Sequence, residues 1–172
     1  MPVVRTECLL ALLLVAASLK CADTQFCNVT FAQGTVQGIT TSLGSRRFLG
    51  IPFAEAPVAA QRFQPPIAKA AWTGVLEAIQ AGPSCVQTPA VNGQSEDCLH
   101  LNVFSPPEGQ ALVPVNVWIH GGGFIQGDAS ELQYFGDYMV GGAYGCVVVS
   151  LNYRLGVLGF HHDTLLAIRG NM

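Results

Sequence analysis

The sequence predicts an α/β fold, and three observations carry that prediction. "CVVVSLNYRL", beginning at Cys146, is nearly continuous in apolar and β-branched residues, as a strand buried within a sheet would be. "VPVNVWIH", residues 113 to 120, is a second strand-like run. Between them, "SELQYFGDYMVGGAYG" can form a short helix, with Ser130 as N-cap and Gly141-Gly142 as the stop. Strand, glycine loop, helix, strand is a βαβ unit, and such units build parallel sheets.

The remaining elements follow in chain order. Met1 to Ala22 begins with a short polar lead-in holding Arg5, continues as the apolar run "CLLALLLVAASL" and ends on the small residues Cys21-Ala22. A dozen apolar residues cannot span a bilayer, which needs ~20, and the pattern is that of a secretory leader. Residues 1–22 are therefore expected to be a signal peptide, and 23–172 the folded part of a secreted, extracellular protein. "GTVQGITTSLGSRRFLGIPFAEAPVAAQRFQPP" mixes short β-prone runs with Gly and Pro, which predicts a hairpin followed by an irregular crossing. "LHLNVFSP" is a partly alternating strand. The tail "GFHHDTLLAIRGNM" has a weak helical pattern without a cap, and the sheet is expected to be incomplete at the C-terminus.

Half of the 172 residues are apolar and 11% are charged, a globular composition and not a disordered one. The net charge is −3 and no basic cluster exists beyond Arg46-Arg47, which excludes nucleic acid as a partner. Of six cysteines, Cys8 and Cys21 lie in the leader. Cys85 and Cys98 flank a polar loop, and in an oxidising compartment they are expected to pair, stabilising by about 3 kcal/mol in the chain-entropy model. Cys146 reads as a small buried apolar residue, and Cys27 has no obvious partner. Asn28-Val29-Thr30 is a glycosylation sequon.

The chemistry lies in "HGGGF", residues 120 to 124. Consecutive glycines are entropically costly, but after a strand of an α/β sheet they bring backbone N–H groups close to a ligand with no Cβ in the way. Two such donors aimed at a developing alkoxide form an oxyanion hole, where each donor accounts for about 3–4 kcal/mol of barrier.

With these residues the chain resembles the carboxylesterase/cholinesterase group, the type B carboxylesterases of the α/β-hydrolase fold. The resemblance covers nearly all of residues 31 to 172. It rests on "FLGIPFAEAPVAAQRFQPP", "WTGV" at 72 to 75, "GPSCVQ" at 82 to 87, "SEDCLHLNVFSP" at 95 to 106, "VWIHGGGF" at 117 to 124 and "VVVSLNYRLGVLGF" at 147 to 160. It implies a Cys85–Cys98 bridge, a structural Arg62–Glu96 ion pair and oxyanion donors from the N–H groups of Gly122 and Gly123. It further implies hydrolysis of a small-molecule carboxylic ester through a serine acyl-enzyme, with no metal and no organic cofactor. The serine of this family stands in G-x-S-x-G on a strand-to-helix turn after the N-Y-R-L-G strand. That motif is absent from these 172 residues, the nearest miss being "TTSLG" at 40 to 44. The chain is thus expected to hold two oxyanion donors and no triad, and to be inactive alone.

Other residues invite a catalytic reading and receive a structural one. His120 is expected to support the glycine loop rather than act as a base. His161-His162 has no third ligand at suitable spacing, so no metal is expected. Glu96 and Asp97 are scaffolding beside Arg62, Ser130 and Ser150 lack an activating histidine, and Phe124 is expected to pack near the acyl end of a pocket. The alternative to an ester hydrolase is a catalytically inactive, cholinesterase-like adhesion or ligand-binding protein.

Overall fold

The computed structural model describes residues 25–91, 93–109, 112–141, 145–165 and 168–171. The leader expected over 1–22 lies outside the described residues. Seven strands form one mixed sheet: β1 (Gln25–Phe31), β2 (Gly34–Thr40), β3 (Arg46–Pro52), β4 (Val75–Glu77), β5 (His100–Ser105), β6 (Val115–Ile119) and β7 (Val147–Leu151). The spatial order is β1-β2-β3-β5-β7-β6, with β4 added to β2. Neighbours along β1-β2-β3-β5-β7 are antiparallel, whereas β6 and β7 are parallel in register from Val115↔Val147 to Ile119↔Leu151. That parallel pair is the expected βαβ unit, and it makes the fold α/β.

β2 serves two neighbours. Its first half, Thr35 to Gln37, pairs with β4, and Ile39 and Thr40 pair with β3. Gly38 sits at the fork, where a Cβ would lie 2.3 Å from the Arg47 carbonyl oxygen and 2.5 Å from the Phe48 ring. The β3–β5 register shifts between Phe48 and Ile51. Gly50 provides the left-handed φ of +70° at this bulge, and its N–H donates to the Asn102 Oδ1 at 3.0 Å.

Helix α1 (Gln133–Gly141) crosses from β6 to β7 and covers one face of the sheet. Leu49, Phe104, Val140, Cys146 and Val148 form the core beneath it, with Trp118 and Met139 packed alongside. Cys146 is accordingly buried, while Cys27 on β1 is a half-buried free thiol. The helix approaches β5 closely because residue 136 is glycine: a Cβ there would meet the Phe104 ring at 2.6 Å.

The structure corrects several expectations. Ser130 is not the N-cap. The Asp128 carboxylate accepts the Ser130 N–H at 2.6 Å, a 3-10 turn follows over Ala129–Leu132, and α1 starts only at Gln133. Asp128 precedes the turn and caps it by accepting the Ser130 N–H, so Ser130 lies inside the turn and not at its start. β7 alternates between buried and half-buried residues and ends at Leu151, so "NYRL" belongs to the connection that follows. In the tail, the helix is limited to α2 (Gly156–Phe160), and a bridge between Asp163 and Ile168 turns the chain back. Strand β1 was not among the expected elements; in it Cys27 and Val29 turn toward the core, while Phe26, Asn28 and Thr30 are exposed.

Gly136→Ala tests the α1–β5 contact. Alanine favours the helix by about 1 kcal/mol, but crowding a well-packed buried ring costs about 1–3 kcal/mol. Urea unfolding is expected to show net destabilisation, and a stabilised variant would mean that the ring yields freely.

Candidate active site

The loop that follows β6 is held from its first residue. His120 is 3% exposed, and its ring stacks on Tyr153 with centroids 4.3 Å apart and planes 12° from parallel. The Tyr153 hydroxyl donates to the His120 carbonyl at 2.8 Å. Burial raises the pKa of that phenol, which keeps it protonated as a donor. The His120 Nδ1 lies 2.9 Å from the Gly121 carbonyl oxygen. A carbonyl can only accept, so Nδ1 carries the proton. The ring therefore supports the loop, as its sequence context implied.

These contacts dictate where the glycine amides point. The Gly121 carbonyl is taken by His120, and the Gly122 carbonyl accepts the N–H groups of Ile125 and Gln126, both at 3.2 Å. In a planar trans peptide the N–H lies opposite the preceding C=O. The Gly122 and Gly123 N–H groups must then turn away from the His120 ring and from residues 125 and 126. Among the described residues, no acceptor takes either of them. The glycines are needed for this path. Gly122 has φ +115° and a Cβ there would fall 1.9 Å from the Gln126 carbonyl oxygen, while Gly123 has φ +62° with open space beside it.

Gly121 and Gly123 border a hollow of about 440 Å³ at the C-terminal ends of β6 and β7, the usual position of a ligand crevice in an α/β sheet. Its walls include Ile119, Leu151, Phe124 and Phe160, the two phenylalanine rings lying 4.9 Å apart. Gly122 borders a second, more polar hollow of about 500 Å³. At its far end the loop is anchored through Ala129. The Ala129 N–H donates to the Asn152 Oδ1 at 2.8 Å, and its carbonyl accepts from the Ser150 hydroxyl at 2.9 Å and the Asn102 amide at 3.4 Å. Asn102, Ser150 and Asn152 are all buried. Ser150 thus serves as a donor to the scaffold.

The remaining singled-out residues lie outside this loop. Cys85 and Cys98 form a disulfide with an S–S distance of 2.03 Å, and both are buried beside Leu99 and Leu155. Arg62 donates to both Glu96 oxygens, each at 2.6 Å. Asn28 is exposed on β1, where its side-chain oxygen accepts from the Gln37 amide at 3.1 Å. His161 and His162 are exposed, and the described residues hold no group of three or more His, Cys, Asp or Glu able to bind a metal. No helix among the described residues is long and apolar enough to cross a membrane. Reasoning from sequence missed the support given by Tyr153 and Asn152. Their only local signal is that a polar pair directly follows the apolar run of β7.

Residues 25–172 match the model of the Carboxylesterase family. Para-nitrobenzyl esterase of Bacillus subtilis (strain 168) is 43% identical over 143 residues, covering 78% of this chain and 29% of that protein. Neuroligin-2 of Mus musculus is 34% identical over 199 residues, covering 87% of this chain and 23% of that protein. Among solved structures, a PNB esterase superposes with a TM-score of 0.76 at 42% identity, over 86% of this chain and 31% of its own. The chain therefore spans less than a third of the length of these relatives.

Two measurements test this scaffold. Tyr153→Phe removes the donor to the His120 carbonyl and is expected to lower unfolding free energy by about 1 kcal/mol in urea titrations. The second is a pH series. The hydrogen bonds from Arg62 hold the Glu96 carboxyl below its ordinary range, and the Ala70 N–H followed by Lys69 does the same for Glu55. A depressed carboxyl contributes stability above its unfolded value of about 4.3, and that stability is lost as pH falls through the folded value. The urea midpoint is expected to drop in that acid window, and Glu96→Gln to flatten part of the drop.

Proposed function

This chain belongs to the carboxylesterase family, and on that premise we propose that its glycine loop supplies the oxyanion hole of a serine-dependent carboxylic ester hydrolase. One observation carries the reading: the Gly121 and Gly122 carbonyls are both tied down, which leaves the next two N–H groups turned outward without an acceptor among the described residues. A small-molecule carboxylic ester would lie across Gly121–Gly123, where the hollow lined by Phe124 and Phe160 meets the more polar hollow that Gly122 borders. When a serine attacks its carbonyl carbon, the carbonyl oxygen becomes an alkoxide and accepts from Gly122 and Gly123. Because these amides are fixed before the charge forms, they stabilise the tetrahedral intermediate more than the neutral ester, which accelerates acylation. The reaction needs no metal and no organic cofactor.

The nucleophile and its base would come from outside these 172 residues, which contain no G-x-S-x-G. Residues 1–22 would act as a cleaved leader, 23–172 as the first portion of the esterase domain, and the protein would be secreted, with Asn28 as its glycan acceptor. The likeness to neuroligin-2 favours a second reading, a non-catalytic adhesion or ligand-binding protein on the same scaffold. Two outward amides speak for the hydrolase, since a protein that binds without acyl transfer has no use for donors aimed at a transient anion.

Fluorophosphonate labelling separates these readings. The 172-residue chain is expected to take no label and to hydrolyse no ester above a buffer blank. The protein extended through a G-x-S-x-G segment is expected to label at that serine, and Gly122→Ala in it to lower kcat by about 100-fold. Labelling of the short chain would show that the nucleophile lies within these residues, and an unlabelled extended protein would favour the binding reading.

A further inference from the structure

Gln87 lies two residues beyond Cys85, inside the disulfide-closed loop, and nothing in the chemistry above uses it. Its side-chain amide faces the backbone of Gly127, 40 residues away, and pairs with both the N–H and the carbonyl of that residue. The Gln87 Oε1 accepts the Gly127 N–H at 2.9 Å, while Nε2 donates to the Gly127 carbonyl at 3.2 Å and to the Cys85 carbonyl at 3.2 Å. The reverse orientation of the amide would set donor against donor, so the partners define one arrangement. Gln87 is itself braced, because its N–H donates to the Gln94 Oε1 at 3.2 Å and Ser95 donates back to the Ser84 carbonyl at 2.9 Å.

Gly127 is the point where this clamp reaches the catalytic loop. It has φ +121°, and a Cβ there would lie 2.2 Å from the His120 Nδ1. The Gly127 peptide therefore rests directly against the ring that fixes the Gly121 carbonyl, and through that carbonyl the direction of the Gly122 N–H. We propose that Gln87 is a positioning residue for the oxyanion loop, transmitting the rigidity of the Cys85–Cys98 loop through Gly127 and His120 to the Gly122 amide. The catalytic part of this inference rests on Gly122 and Gly123 being oxyanion donors, whereas the clamp itself does not.

Two variants test it in the protein extended through a G-x-S-x-G segment. Gln87→Ala leaves the Gly127 N–H and carbonyl without their partner, and is expected to lower kcat about tenfold or more with KM nearly unchanged, since only transition-state binding is lost. Gln87→Glu keeps an acceptor for the Gly127 N–H but turns a second oxygen toward two carbonyls. It repels them while ionised and can donate once protonated. The ratio of its kcat to the parent's is expected to fall as pH rises, a dependence Gln87→Ala should lack. In the 172-residue chain, hydrogen exchange of the backbone over 120–128 is expected to quicken in Gln87→Ala. Unchanged kcat in both variants, or a lower unfolding midpoint with no change in kcat, would overturn the positioning role. If the parent hydrolyses no ester, the oxyanion reading fails and the exchange measurement alone decides the clamp: unchanged exchange over 120–128 overturns it.

Discussion

The hydrogen bond from the His120 ring to the Gly121 carbonyl is the constraint on which the rest of the loop depends. A peptide unit is rigid, so fixing one carbonyl fixes the amide on its other side. Everything near His120 serves to keep its ring in place. Tyr153 stacks on one face of it and holds the residue's own carbonyl, and the absence of a side chain at Gly127 lets a neighbouring peptide come within contact distance. His120 itself is buried, so water has little access to its ring.

The far end of the loop is held by a different device. Asn102 on β5, Ser150 on β7 and Asn152 just beyond it converge on the one residue Ala129, through both its N–H and its carbonyl. Asn152 also reaches the Pro83 carbonyl at 3.1 Å, and Asn102 also takes the Gly50 N–H at the β3 bulge. Each bond adds only about 1 kcal/mol net, but an unmade one in such a buried place costs about 1–3 kcal/mol, so the group behaves as a unit. The mixed sheet makes this convergence possible. An antiparallel β5–β7 pair sets Asn102 opposite Ser150, while the parallel β6–β7 pair delivers the glycine loop to the same end.

What the sequence revealed and what it hid divide along the range of the interactions. β5, β6 and β7 were legible because each is a local apolar run between turn residues. The glycine loop was legible because three glycines after a strand have few uses. Ser130 misled because serine and aspartate compete for the same cap within three positions, and only geometry shows that Asp128 wins. β1 escaped notice because its seven residues mix polar and apolar types almost evenly, and only Cys27 and Val29 pack against the core. Tyr153 and Gln87 were hidden for another reason. Their partners lie 33 and 40 residues away, and no periodicity in the chain records such a pairing.

Phe124 follows the glycines with φ +64°, a left-handed backbone that costs a residue bearing a Cβ about 1–2 kcal/mol. Its carbonyl accepts the Gly156 N–H at 2.7 Å, which ties the strained residue to the start of α2. The residue is 62% exposed, so hydrophobic burial within the described residues returns little for that conformation. A fourth glycine would relax the backbone and leave the crevice without its aromatic lip. Backbone relaxation and the aromatic wall of the hollow therefore pull in opposite directions at this one position, and the chain has kept the wall.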